Sequence, residues 1–179
     1  LGGPGDDILI GGGSADELQG GDGDDRLTGG AGADILNGGL GIDTIVASLA
    51  GDGSSVGITL RDNLTTVNIL DDAFLTVAAE AADSLLGIEN AELTGGAGNN
   101  TLDASAFSLG RVTIDGGAGN DTLRGTSYDD LLTGGLGADS INGGGGFDTI
   151  VESRAASTTA FNFTLSDNTS TPGILDDAL

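Results

Sequence analysis

Residues 2–46 read GGPGDDILI GGGSADELQ GGDGDDRLT GGAGADILN GGLGIDTIV, five nine-residue units in unbroken succession from Gly2 to Val46. Each opens on glycine, places Asp sixth and puts Leu or Ile eighth. A sixth unit, GGAGNNTLD, starts at Gly95. Four more, GGAGNDTLR, GTSYDDLLT, GGLGADSIN and GGGGFDTIV, run from Gly116 to Val151. A short fixed period marks a solenoid, in which one repeat cannot bury a core alone and neighbours must stack.

The eighth residues are Leu9, Leu18, Leu27, Leu36, Ile45, Leu102, Leu123, Leu132, Ile141 and Ile150, and their neighbours are mostly polar, as Glu17 and Gln19 or Arg26 and Thr28 show. Alternation with a period of two predicts a short strand with one side chain inward. The six residues before it then form a turn, for which glycine at the first, second and fourth positions suits a backbone with φ > 0. Two units make one coil of strand, turn, strand, turn. The expected fold is all-β, a parallel β-roll or β-solenoid.

Stacked parallel rungs lie about 4.8 Å apart, so a cation midway between two turns sits about 2.4 Å from each along the stack. Calcium takes six to eight oxygens at about 2.3–2.6 Å, whereas magnesium wants about 2.0–2.1 Å in an octahedron. This geometry favours calcium between the turns, held by sixth-position carboxylates and glycine carbonyls, all hard oxygen donors. The chain has no His and no Cys, which leaves zinc and copper few ligands. Alternate units share a side of the roll. Asp7, Asp25 and Asp43 are expected along one edge and Asp16 with Asp34 along the other. In the second tract Asp121 pairs with Asp139, and Asp130 with Asp148. Five turn pairs follow, hence at least five Ca2+ ions.

GGPGDDILI and GGAGNDTLR resemble the glycine-rich nonapeptides of the RTX family, the hemolysin-type calcium-binding repeats. The resemblance implies a parallel β-roll with calcium between turns and export from Gram-negative bacteria by type I secretion. It also implies ligands from the sixth-position Asp and from the carbonyls of the second and fourth residues. Those are Gly3, Gly5, Gly12, Gly21, Gly23, Gly30, Gly32, Gly39 and Gly41 in the first tract. In the second they are Gly117, Gly119, Gly135, Gly137, Gly144 and Gly146. The chain departs from the pattern at Ser14, at Thr126 and Tyr128, and at Asn100, where a neutral oxygen replaces the carboxylate and implies a weaker site.

Acidic residues number 28 against five basic ones, for a net charge of −23. Such a chain repels nucleic acid and anionic membranes. The Asp residues recur in register rather than in blocks, which separates them from a merely solubilising charge. No apolar run approaches the roughly 18 residues of a membrane span. No disulfide framework is available, so calcium is the expected staple of a secreted, extracellular or cell-surface protein. No signal peptide is visible, since the sequence opens directly on a repeat.

A second repeat overlies the first. Residues 38–74 recur at 143–179 with a constant offset of 105, as between Asp43 and Asp148 or Asn63 and Asn168. The chain is therefore read as a fragment of a longer repetitive protein. Four segments are expected: a first roll tract over 1–46, solenoid-like rungs over 47–94, a second tract over 95–151, and the start of another intervening segment over 152–179. Strand-like runs in the intervening stretch are Val56 to Leu60, Thr66 to Ile69 and Ala91 to Thr94. Ala78 to Leu86 reads either as rung or as a short helix. Residues 104–115 read as one irregular rung.

Catalysis is not expected. The in-register Asp residues are accounted for as ligands, and His, Lys and Cys, the usual activators of nucleophiles, are absent. Tyr128 stands alone in a turn, and Arg26 and Arg124 occupy outward strand positions. The favoured reading is a structural spacer of a large secreted or surface protein of adhesin or matrix type, since duplication of a long unit is what a spacer needs. Its expected partners are calcium, further copies of the long repeat and a surface ligand. The alternative is a calcium-dependent folding and secretion module attached to an exported protease, lipase or polysaccharide epimerase. An ice-binding face is not expected, because the third position runs Pro4, Gly13, Asp22, Ala31, Leu40 without a Thr or Asn ladder.

Overall fold

The computed structural model describes residues 1–48, 57–62, 73–77 and 83–151. The run Thr66 to Ile69, residues 78–82 and the segment 152–179 lie outside the described residues. Sixteen strands and no helix are found among those described.

The nonapeptides of the first tract give β1 (Gly3–Pro4), β2 (Ile8–Gly12), β3 (Glu17–Asp22), β4 (Arg26–Gly30), β5 (Ile35–Leu40) and β6 (Thr44–Ser48). Successive strands fall on alternate sheets, so each coil spans two units. Leu9 pairs with Leu27 and Leu27 with Ile45 on one sheet, and Leu18 pairs with Leu36 on the other, all parallel. The second tract repeats this with β11 (Thr101–Ala106), β12 (Val112–Asp115), β13 (Thr122–Arg124), β14 (Leu131–Thr133), β15 (Ser140–Asn142) and β16 (Thr149–Val151). The eighth-position side chains face inward and form one core: Leu27, Leu36, Ile45, Leu102, Leu123, Leu132 and Ile141 are all buried. Fully burying each is worth roughly 1.5–3 kcal/mol. The apolar column is narrow, one eighth-position side chain from each strand of a tract, so the pairing of strands carries much of the stacking.

Between the tracts lie β7 (Gly57–Asp62), β8 (Ala73–Val77), β9 (Asp83–Leu86) and β10 (Asn90–Thr94). In the seven-stranded sheet β10 pairs directly with β6 on one side and β12 on the other, so that sheet runs unbroken from β2 to β16. In the nine-stranded sheet β9, β8 and β7 stand between β5 and β11, and the β9–β8 and β8–β7 pairings are antiparallel. The parallel order expected of the whole roll is broken at those two pairings. The residues read as one irregular rung divide between the end of β11, a turn at 107–111 that buries Phe107, and β12.

The junction also shifts register. Ile45 aligns with Ala91 and Ala91 with Val112, whereas Ala47 aligns with Leu93, Leu93 with Ile114 and Ile114 with Leu132. The core column thus moves two residues along the strands between Ile45 and Leu132. A shift of two keeps every inward side chain inward, where a shift of one would turn all of them out.

Candidate metal centre

Each six-residue turn is built on its glycines. All the second- and fourth-position glycines named above have positive φ. Gly21 (φ +130°) and Gly23 (φ +132°) show why no larger residue serves: a Cβ at either would come closer than 3.0 Å to the backbone of Gly3 or Gly5 in the turn below. Gly20, at the first position, has a different constraint. A Cβ there would meet both the carboxylate of Asp25 in its own turn and the carbonyl oxygen of Gly38 in the turn above. The missing side chain leaves a cradle in which a carboxylate and a carbonyl converge.

The sixth-position residues stack into ladders along the two edges, in the pairs the eighteen-residue coil predicts and in one further pair, Asn100 with Asp121, 21 residues apart. The main-chain N–H of Asp7 donates to Asp25 Oδ1 at 2.8 Å, and that of Asp25 to Asp43 Oδ1 at 2.8 Å. On the opposite edge Asp16 N–H donates to Asp34 Oδ1 at 2.9 Å. In the second tract Asn100 donates to Asp121, Asp121 to Asp139, and Asp130 to Asp148. One oxygen of each acceptor is thereby engaged. The other is buried without a hydrogen-bond partner in Asp25, Asp34, Asp43, Asp121 and Asp139, as is Oδ2 of Asp16 at the foot of its ladder.

A buried carboxylate oxygen with no donor is costly unless a cation meets it. The titration of two of them, Asp121 and Asp43, records the same stress. Burial pushes Asp121 up to about 6, against the bond it accepts from Asn100 and reinforced by the charge of Asp139. Burial likewise raises Asp43, with the neighbouring charges of Asp25, Glu89 and Asp24 adding to it. The donor set is purely oxygen and suits a hard divalent ion. Among the described residues no three acidic side chains converge on one point, so a cation held here would need backbone carbonyls, such as that of Gly38 beside Asp25 Oδ2, for its further donors. The second-position carbonyls of Gly12 and Gly117 also accept N–H bonds from Ala31 and Leu136 in the turns above; a carbonyl has two lone pairs, so one remains.

Two of the three off-pattern turns, those of Asn100 and of Thr126 with Tyr128, close differently. Gly96 and Gly98 are not among the positive-φ glycines, and Gly96 N–H donates to Asn100 Oδ1 at 2.8 Å. In the turn at 125–130 Thr126 donates its N–H to Asp130 Oδ2 at 2.6 Å and brings its hydroxyl within 3.1 Å of both carboxylate oxygens. Val112 N–H also donates to Asp130 Oδ1. Asp130 therefore keeps no unpartnered oxygen, unlike the six carboxylates above. Tyr128 sends its hydroxyl to the Ser108 carbonyl.

Two ladder positions lie outside the nonapeptides. Asp34 N–H donates to Asp83 Oδ1 at 3.0 Å, and Asp43 N–H to Glu89 Oε2 at 2.9 Å. Asp83 was legible: Asp83-Ser84-Leu85-Leu86-Gly87 has the spacing of Asp25-Arg26-Leu27-Thr28-Gly29. Glu89 was not, since it ends a three-residue turn. A further device sits at the fifth position. Asp6 accepts from Asp24 N–H, Asp24 from Ile42, Asn99 from Asn120, Asn120 from Ala138, and Asp129 from Phe147. These bonds run up the stack, opposite in sense to the sixth-position ones. The last donor of each run is apolar, Ile42, Ala138 or Phe147, and so offers no side-chain acceptor of its own.

The outward arginines are paired. Arg26 on β4 forms a two-pronged ion pair with Glu92 on β10, across β6, and Arg124 pairs with Asp103 on the adjacent strand at 2.7 Å. The hydrogen bond from Arg26 holds the Glu92 carboxyl below its ordinary range.

The family model of the RTX calcium-binding nonapeptide repeat matches the chain in four copies, over residues 1–36, 10–45, 89–107 and 115–150. Together these cover more than half of the chain. No curated protein matches it.

Proposed function

Because the chain belongs to the RTX calcium-binding nonapeptide repeat family, we propose that it is a non-catalytic spacer which becomes a stiff rod when calcium fills its turns. Calcium binding is the family's property, and proteins with these repeats are typically exported by type I secretion. The residues that would hold the ions are the sixth-position carboxylates with an unpartnered oxygen and the glycine carbonyls around them. When bound, calcium supplies the positive charge that the ladders lack.

The observation that carries the spacer reading is the unbroken seven-stranded sheet. β6, β10 and β12 join the two tracts strand to strand, so the stretch between them transmits the stack. The 105-residue duplication supports the same reading, since each added copy adds length. Small-angle scattering on one, two and three copies of the long repeat tests it. In calcium the longest dimension should rise in proportion to copy number, by about 4.8 Å per rung. A dimension independent of copy number, or a catalytic domain directly continuous with this segment in the parent reading frame, would favour the folding and secretion module instead.

A further inference from the structure

Asp43 is fully buried, its Oδ2 has no partner, and it belongs to the last nonapeptide of the first tract. The rung above it is β9–β10, joined by a turn of only three residues, Gly87 to Glu89. That contracted turn nevertheless rebuilds the donor arrangement of a repeat. Glu89 Oε2 accepts the Asp43 N–H at 2.9 Å, as Asp43 Oδ1 accepts that of Asp25. The Asn90 N–H donates to the Asp43 carbonyl, as Thr44 does to Asp25. A Cβ on Gly38 would collide at once with Asp43 Oδ2 and the Gly87 carbonyl, as one on Gly20 would with Asp25 Oδ2 and the Gly38 carbonyl. Gly87 even shares the positive φ of the turn glycines. Glutamate is one methylene longer than aspartate, which suits a carboxylate that must reach from a shortened turn.

We propose that the turn at 38–43 and the contracted turn Gly87 to Glu89 hold a divalent cation outside the nonapeptide pattern, with Asp43, Glu89 and the Gly87 carbonyl as donors. The site rests on the calcium reading above and extends it to a rung that carries no repeat, clamping β9–β10 onto the first tract. Access is open: the short turn leaves a notch of about 510 Å³ beside it, lined by Ile42, Glu89, Arg111, Tyr128 and Asp129. Arg111 forms no ion pair with Glu89, so that carboxylate is not already neutralised; the ion pairs among the described residues are Arg26–Glu92 and Arg124–Asp103. An ion here would neutralise two acids at the point where the core column begins its shift.

The test is calcium stoichiometry by flow dialysis on the whole chain and on Glu89→Gln, whose amide oxygen still accepts the Asp43 N–H. Glu89→Gln should bind one ion fewer and keep the wild-type β-sheet signal at saturating calcium. Glu89→Asp, which keeps the charge but withdraws it, should bind the full number with one ion weakened about tenfold or more. Terbium gives a second readout, because Tyr128, the chain's single tyrosine, lines the notch and can sensitise an ion bound there. Tyrosine-sensitised emission should fall in Glu89→Gln. Equal stoichiometry and equal emission in wild type and Glu89→Gln would overturn the site while leaving the calcium reading intact. A wild-type chain that binds no calcium would instead overturn the reading on which the site rests.

Discussion

The N–H of Asp25 donates to Asp43 Oδ1 at 2.8 Å, while Asp43 Oδ2 is buried with no partner. The two oxygens of one carboxylate thus differ: one is tied to the rung below, and the other has no protein donor. Repeated along both edges of a chain of net charge −23, the arrangement is expected to couple metal binding to folding. In excess chelator at neutral pH the chain should be largely unfolded, since a thin aliphatic column cannot offset chain entropy and the burial of unpaired charge together. Far-UV circular dichroism during a calcium titration should show coil converting to β-structure, with magnesium a poor substitute. A full β-sheet signal in chelator would contradict this.

The ladder also ranks its members. Asp25→Ala removes the acceptor of the Asp7 N–H and a buried oxygen that has no protein donor. It should raise the calcium midpoint about tenfold or more, roughly 1.4 kcal/mol per decade. Asn100→Ala and Asp130→Asn should move it less than about threefold by the same conversion, because both side chains are already satisfied by N–H groups of their own turns. Midpoints measured by titration of the three variants decide the matter; a shift for Asp130→Asn as large as for Asp25→Ala would place a cation at Asp130.

Glycines at different positions of a turn should differ sharply in tolerance. Gly20→Ala would drive a methyl group into Asp25 Oδ2 and the Gly38 carbonyl, whereas a Cβ on Gly13 meets nothing within 4 Å. Gly20→Ala should therefore abolish calcium-induced folding or raise its midpoint by an order of magnitude or more, while Gly13→Ala leaves it unchanged within about twofold. Calcium titrations of the two variants check this, and equal midpoints would refute the cradle.

Much of this was readable from Gly2 to Val46 because a nine-residue period fixes both the strand face and the turn geometry at once. The inward Leu27 and Ile45, the ladder from Asp7 to Asp43 and the positive-φ glycines all follow from position within the unit. What was not legible depends on contacts between rungs. The fifth-position bonds, as from Asp24 to Asp6, are invisible to a period, since Ala15 and Ala33 occupy the same position on the other edge. Glu89 escaped because its turn is three residues long. The two-residue shift at Ala91 escaped because alternation tells inward from outward but cannot distinguish registers that differ by two. The antiparallel pairings of β8 follow from chain reversals that no nonapeptide encodes.

The metal-free chain should respond to pH in the sense opposite to a typical protein. Asp121 lies near 6 in the folded roll against an ordinary 3.8, chiefly through burial, and Asp43 and Asp130 are raised for the same first reason. A carboxyl whose pKa is higher in the folded state binds its proton more tightly there. Its contribution to stability is then fully present below its unfolded value of 3.8 and is lost as pH rises through about 6. In chelator, β-structure should accordingly increase on acidification from neutrality to about pH 4.5, over the window those shifts define. Calcium reverses the sign, because it competes with protons for the same oxygens, so the calcium midpoint should rise as pH falls below about 6. Asp121→Asn should reduce both effects. Circular dichroism in chelator across pH 4.5–7.5, paired with calcium titrations at pH 7.5 and 5.5, measures the two arms; a β signal that weakens on acidification in chelator, or a calcium midpoint equal at the two pH values, would show that the buried carboxylates do not carry the coupling.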